Sequence, residues 1–170
     1  MRPLTLRADA TAALLPDGKV LVAGGQTRGF CTGLDTAELW DPATQKWTAL
    51  PPMAHKRSYS TACVLPSGRV AVVGGDGTDG KARKDGEVFD PVKREWEPLG
   101  AEMAQKHGTI SATAVAGGLL VMGLAGRLEL YDEDSGRWLT LPHAMVQPRN
   151  AAGLISLPAA ALVAVAAAIH

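Results

Sequence analysis

The chain repeats itself, and the period excludes most of the folds open to 170 residues. Arg7, Arg57 and His107 fall 50 residues apart, and Arg149 follows after 42. Gly24-Gly25 recurs as Gly74-Gly75, and its first member recurs as Gly123. Trp40, Phe89 and Tyr131 share one place, each followed seven residues later by a tryptophan: Trp47, Trp96 and Trp138. Met53, Met103 and Met145 each stand four residues before Arg57, His107 and Arg149. So many offsets held through three copies mark a repeat architecture, in which each unit buries its apolar face on the next.

Each copy divides into four short apolar stretches separated by turn chemistry, the pattern of a four-stranded antiparallel unit. The first copy predicts strands near 9–15, 19–23, 36–41 and 46–49. Asp17-Gly18 and Ser67-Gly68 are hairpin turns, because glycine accepts a positive φ without a Cβ clash. Asp41-Pro42 and Asp90-Pro91 open turns of another kind, with proline presetting φ. Asp132 to Gly136 fills that place in the third copy. The glycine pair closes the second strand, where a side chain would obstruct an unusual backbone angle or a close neighbour. The three repeat tryptophans are expected to be buried, each packed between its own sheet and an adjacent one.

The string from Leu15-Pro16-Asp17-Gly18 through Gly24-Gly25 to Glu38-Leu39-Trp40-Asp41-Pro42 and Trp47 resembles the kelch repeat. In that family the double glycine, the aromatic and the tryptophan mark one blade of a β-propeller. The second copy carries it as Val72-Val73-Gly74-Gly75, Glu87-Val88-Phe89-Asp90-Pro91 and Trp96. The resemblance implies an all-β fold of about three and a half four-stranded blades in an open or partial ring. Blade 1 would span about 4–50, blade 2 about 54–98, blade 3 about 104–140, and an incomplete blade 4 about 149–167. In the fourth copy every glycine of the pattern has become alanine, and 151–165 is read as strand. An open arc leaves sheet faces bare, so self-association through the open ends, or membership of a longer product, is expected.

Lysine plus arginine and aspartate plus glutamate both number 17, so nothing in the charge points to nucleic acid. Cys31 and Cys63 do not form a disulfide framework; Cys63 reads as a small buried thiol and Cys31 as a loop residue. The first residues, Met1-Arg2-Pro3-Leu4, lack the apolar core of a signal peptide. No run reaches the ~20 apolar residues that span a bilayer. A cytoplasmic protein without membrane contact is the expectation.

Catalytic signatures are absent from the sequence: no Gly-x-Ser-x-Gly, no paired histidines at ligand spacing, no Cys-x-x-Cys, no phosphate loop. The expectation is a chain with no cofactor and no enzymatic activity. The kelch architecture also houses copper oxidoreductases resembling galactose oxidase, so a fragment of such an enzyme is the alternative. Against it, only Tyr59 and Tyr131 are available as tyrosine ligands, and His55, His107, His143 and His170 show no common spacing. What the resemblance offers instead is surface. The loops joining second to third strands (26–36, 76–86, 124–127) and fourth to first strands (51–57, 99–107, 142–149) would gather on one face. Arg7, Arg57, His107 and Arg149 would recur around its mouth, either bracing blades or gripping an acidic protein or peptide segment. Arg28, Lys81 and Arg83 of the long loops join them as candidate partner contacts. The implied function is a non-catalytic protein-interaction module, of the kind that recognises substrates for ubiquitin ligases.

Overall fold

A computed structural model describes residues 3–27, 33–108, 111–123 and 127–142. Twelve strands fall into three antiparallel sheets, each a simple meander. The first holds β1 (Thr11–Leu14), β2 (Val20–Ala23), β3 (Ala37–Asp41) and β4 (Lys46–Leu50). The second holds β5 (Thr61–Val64), β6 (Val70–Val73), β7 (Gly86–Asp90) and β8 (Glu95–Pro98). The third holds β9 (Ser111–Val115), β10 (Gly118–Met122), β11 (Leu128–Asp132) and β12 (Arg137–Thr140). The first strands touch from sheet to sheet, β1 beside β5 and β5 beside β9, as the inner strands of propeller blades do. The proposed fourth blade, 149–167 with Arg149, lies outside the described residues, as do Arg28 and Cys31.

Register places the repeat aromatics opposite one another across the third and fourth strands. Trp40 pairs with Trp47, Phe89 with Trp96, and Tyr131 with Trp138. Their ring centroids lie 5.3, 5.0 and 5.2 Å apart, in tilted geometry that suits ring quadrupoles. The tryptophans are half-buried, which corrects the expectation of full burial. The fourth strand is the outer edge of each blade, so one side of its residues meets solvent. Trp96 nonetheless packs on the core shared with blade 1, and Trp138 on the core shared with blade 2.

Those two cores are the seams between blades. Val70 and Val72 of β6 join Leu21, Ala23 and Leu50 of blade 1, while Ala71 and Val73 join Leu119 and Val121 of blade 3. All four residues of β6 are therefore buried, whereas β2 buries only Leu21 and Ala23. A strand interior to the stack reads as an unbroken apolar run, and one at the end of the described stack buries a single face. Each fully buried valine or leucine is worth roughly 1.5–3 kcal/mol of transfer free energy, so most of the cohesion comes from these seams.

The glycine pairs earn their place by close approach. Gly75 has φ +84, and a Cβ there would lie 2.5 Å from the Ser58 carbonyl oxygen; Gly25 stands the same way against Ala8. Gly75→Ala should therefore lose at least about 2 kcal/mol, combining left-handed strain with a backbone clash. Gly80 has φ +66 in open space, and Gly80→Ala should cost only about 1 kcal/mol. Thermal unfolding of the two variants side by side checks this; equal losses would mean that the close approach contributes nothing.

Candidate functional site

One face of the molecule collects the second-to-third-strand loops and the connections between blades. Isolated bridges stitch them together: Leu34 with Arg57, and Arg83 with His107. The connection is fixed from beneath by a carboxylate on each third strand. Glu38 accepts the backbone N–H groups of Leu4 and Thr5. Glu87 accepts those of Ala54 and His55, and Glu129 those of Ala104 and Gln105. Each glutamate stands two residues before the repeat aromatic, and each is buried.

A basic side chain completes each brace. Arg7 donates to Glu38 and to the carbonyls of Gly24 and Thr36. Arg57 donates to Glu87 at 3.1 Å, to Asp85 Oδ2 at 2.8 Å, and to the carbonyls of Gly74 and Asp85. In blade 3 the position is His107, whose Nε2 donates to Glu129 at 3.1 Å. Gly123 leaves room for that imidazole; a Cβ there would overlap its ring. The side chains of Arg7, Arg57 and His107 are only 5, 0 and 2 % exposed. The three described mouth residues of the sequence pattern thus face into their blades, where Arg7 Nε and His107 Nδ1 are buried without a partner among the described residues.

What the face does present to solvent comes from other residues. Lys81 is 75 % exposed and pairs only with Asp79. Arg83 grips Asp85 with two donors, Nε and Nη2, at 2.8 and 2.9 Å. Tyr59 is exposed, and its hydroxyl meets Gln26 Nε2, which also donates to Asp9. Asp9 and Tyr59 occupy the same repeat place, two residues past the brace, and both adopt left-handed backbone, at φ 53 and 57. Positive φ in a non-glycine residue is strained and aims the side chain out of the regular path. Towards the outer flank a cleft of about 650 Å3 opens between Pro51, Pro52, His55, Asp85, Trp96 and Glu102. His55 Nδ1 sits 3.3 Å from Asp85 Oδ2 and half exposed at its rim.

The bracing glutamates were legible as an offset, 38, 87 and 129, that tracks the aromatics at 40, 89 and 131. A glutamate in a strand ordinarily reads as a solvent-facing residue, and the sequence pattern assigns these no role. Among the described residues no group of three or more His, Cys, Asp or Glu side chains is placed to share a metal ion. Among them, too, no helix is long and apolar enough to cross a membrane. Cys63 is buried, and burial pushes its thiol up, away from thiolate chemistry.

Asp85 is the electrostatic link between loop and brace. Burial pushes its carboxyl up, but Arg83 and Arg57 outweigh that and hold it at about 2, below the ordinary 3.8. A depressed carboxylate stabilises the fold above its unfolded value, and that stability disappears as pH falls through the folded value. Asp85→Asn should thus cost about 2 kcal/mol at neutral pH and almost nothing near pH 2. Urea unfolding of both proteins across that range checks the sign; a difference independent of pH would remove the ion pairs as its cause.

Comparisons with known proteins agree with this geometry. The family model described as Kelch motif matches residues 10–54, the span of blade 1 from β1 through β4. An F-box/kelch-repeat protein of Arabidopsis thaliana is 38% identical over 122 residues, covering 69% of this chain and 34% of that protein. A second from the same plant, F-box/kelch-repeat protein SKIP20, is 31% identical over 102 residues, covering 58% of this chain and 24% of its own length. The chain therefore spans about a third or less of the curated relatives it matches. The solved structure of YjhT superposes with a TM-score of 0.71 at 17% identity, over 84% of this chain and 53% of that one, a likeness of fold. The chain is a kelch-repeat protein, and its three sheets are blades of a kelch-type β-propeller.

Proposed function

We propose that this chain is a non-catalytic protein-interaction module that holds a protein or peptide segment on its loop face. The observation that supports this reading is the division of labour on that face. Arg7, Arg57 and His107 are held inside the blades, which leaves the loops rigidly mounted, while Tyr59 and Lys81 are exposed and Arg83 lies half-buried beside them. A scaffold fixed from beneath with variable residues on top is what binding loops require. The two relatives that carry an F-box in their names suggest the setting: a kelch segment choosing the substrate of a ubiquitin ligase. Such a role belongs to a cytoplasmic protein and needs no cofactor.

The exposed cations Lys81 and Lys56, with the half-buried Arg83 beside them, are the groups that an acidic segment would meet. Arg7 and Arg57 act on such a partner by holding the loops that carry those residues. Exposed ion pairs are screened by salt, so capture through them weakens as ionic strength rises.

The test is capture of binding partners by the immobilised chain and by two matched variants. Tyr59→Ala combined with Lys81→Glu should weaken capture by roughly tenfold or more while leaving the melting temperature near wild type. Val92→Asp, on the opposite face where Val92 is 91% exposed, should leave capture unchanged. Capture lost through Val92→Asp and untouched by the loop-face pair would move the binding surface to the other face. Metal analysis of the same preparation addresses the enzymatic alternative: stoichiometric copper would replace this reading with a galactose-oxidase-like one.

A further inference from the structure

We propose that the seam between blades 2 and 3 is a hinge, pinned on the hairpin-turn face and able to open at the loop face. The inference comes from comparing two seams built on one plan, and it does not depend on the binding reading above.

Three backbone hydrogen bonds recur at both seams. At the first seam Gly25 N–H donates to Arg57 O, Arg57 N–H to Leu34 O and Met53 N–H to Asp35 O, at 2.8, 3.0 and 2.8 Å. At the second, Gly75 N–H donates to His107 O, His107 N–H to Arg83 O and Met103 N–H to Lys84 O, each at 2.8 Å. Beyond these shared bonds, the seams differ in their side chains and in the connecting segment.

Three observations there point the same way. Arg57 ties its connection to blade 2 through the carbonyls of Gly74 and Asp85 and the carboxylates of Asp85 and Glu87. His107 ties the next connection to blade 3 through Glu129, and its Nδ1 is buried without a partner among the described residues. Next, Trp96 Nε1 donates to the Pro51 carbonyl at 2.8 Å and locks the outer edge of the first seam, while Trp138 Nε1 is buried and unpartnered among the described residues. The connection itself supplies the cause. Leu50-Pro51-Pro52-Met53 becomes Leu99-Gly100-Ala101-Glu102-Met103, one residue longer between equivalent anchors. Two prolines of fixed φ give way to a glycine at φ 92, so the carbonyl that would meet the tryptophan is displaced and the link is softer.

The opposite face shows the reverse asymmetry. Glu133, in the turn after β11, accepts from Ser67 Oγ and from Arg69 Nη2, which joins the hairpin turns of blades 2 and 3. At the first seam Pro91 occupies the corresponding place, and a cleft of about 530 Å3 separates the turns of blades 1 and 2. The first seam is thus fastened at the loop face and the second at the turn face. Rotation of blade 3 about the Glu133 pin would draw Glu129 away from the connection at 104–107, which its backbone bonds to the loop at 83–85 hold on blade 2.

Amide hydrogen exchange on the whole chain tests this without any mutation. Ala104 and Gln105, which donate to Glu129, should exchange about tenfold or more faster than Ala54 and His55, which donate to Glu87, through local opening rather than global unfolding. Glu133→Gln should speed Ala104 and Gln105 about tenfold further and leave Ala54 and His55 unchanged. Equal exchange at the two seams of the native chain would overturn the hinge. So would a Glu133→Gln variant that accelerates all four amides alike, because blade 3 would then be moving only as part of global unfolding.

Discussion

A carboxylate buried in each third strand, holding the connection that enters its blade, is the interaction on which the rest depends. Glu87 has a side chain 4% exposed, and it accepts two backbone N–H groups and a guanidinium. Burying such a charge is costly unless it is paired and hydrogen-bonded, and here it is both. The result is directional: the connection can enter at one angle only, so the following first strand arrives inside the blade rather than beside it. Glu38 with Arg7 and Glu129 with His107 repeat the solution. The apolar seams provide cohesion without direction, and the carboxylates provide direction.

The same arrangement separates the electrostatics of the interior from those of the surface. Arginines that look available in the sequence are neutralised inside the blades, and the field above the loop face belongs to Lys81, Asp79 and their neighbours. Asp85 stands between the two regimes, shared by an interior guanidinium and a loop guanidinium. A change in the loop at Arg83 is thus felt at Arg57, through one carboxylate.

The offsets made the blades legible before any coordinates. Hairpin glycines, Asp-Pro turns and aromatic pairs each demand a local geometry, and all four strands of blade 1 fall within two residues of their expected bounds. The brace was less legible, because its acceptors lie 17 to 34 residues away and glutamate carries no signature of burial. Arg57 displays the limit most clearly. Recurrence marks the residue as important, but a side chain's direction is settled by partners that periodicity does not name. The tryptophans were over-read for a related reason: the pattern shows that they recur in the fourth strand, and only the order of strands shows that this strand is the rim. Departures from the repeat, such as His107 for arginine and Gly100 for proline, were visible as letters but acquire meaning only beside the intact copy.

Strand β6, buried on both faces while β2 is buried on one, has a consequence for synthesis on the ribosome. The face of blade 1 that Val70 and Val72 cover stays bare until β6 has emerged, so that seam closes only once both blades are present. The ties across a seam are long-range: 45 residues from Trp96 to Pro51, and 66 from Glu133 to Ser67. Contacts of such separation close late and slowly, so each exposed face waits for the next forty or fifty residues of chain.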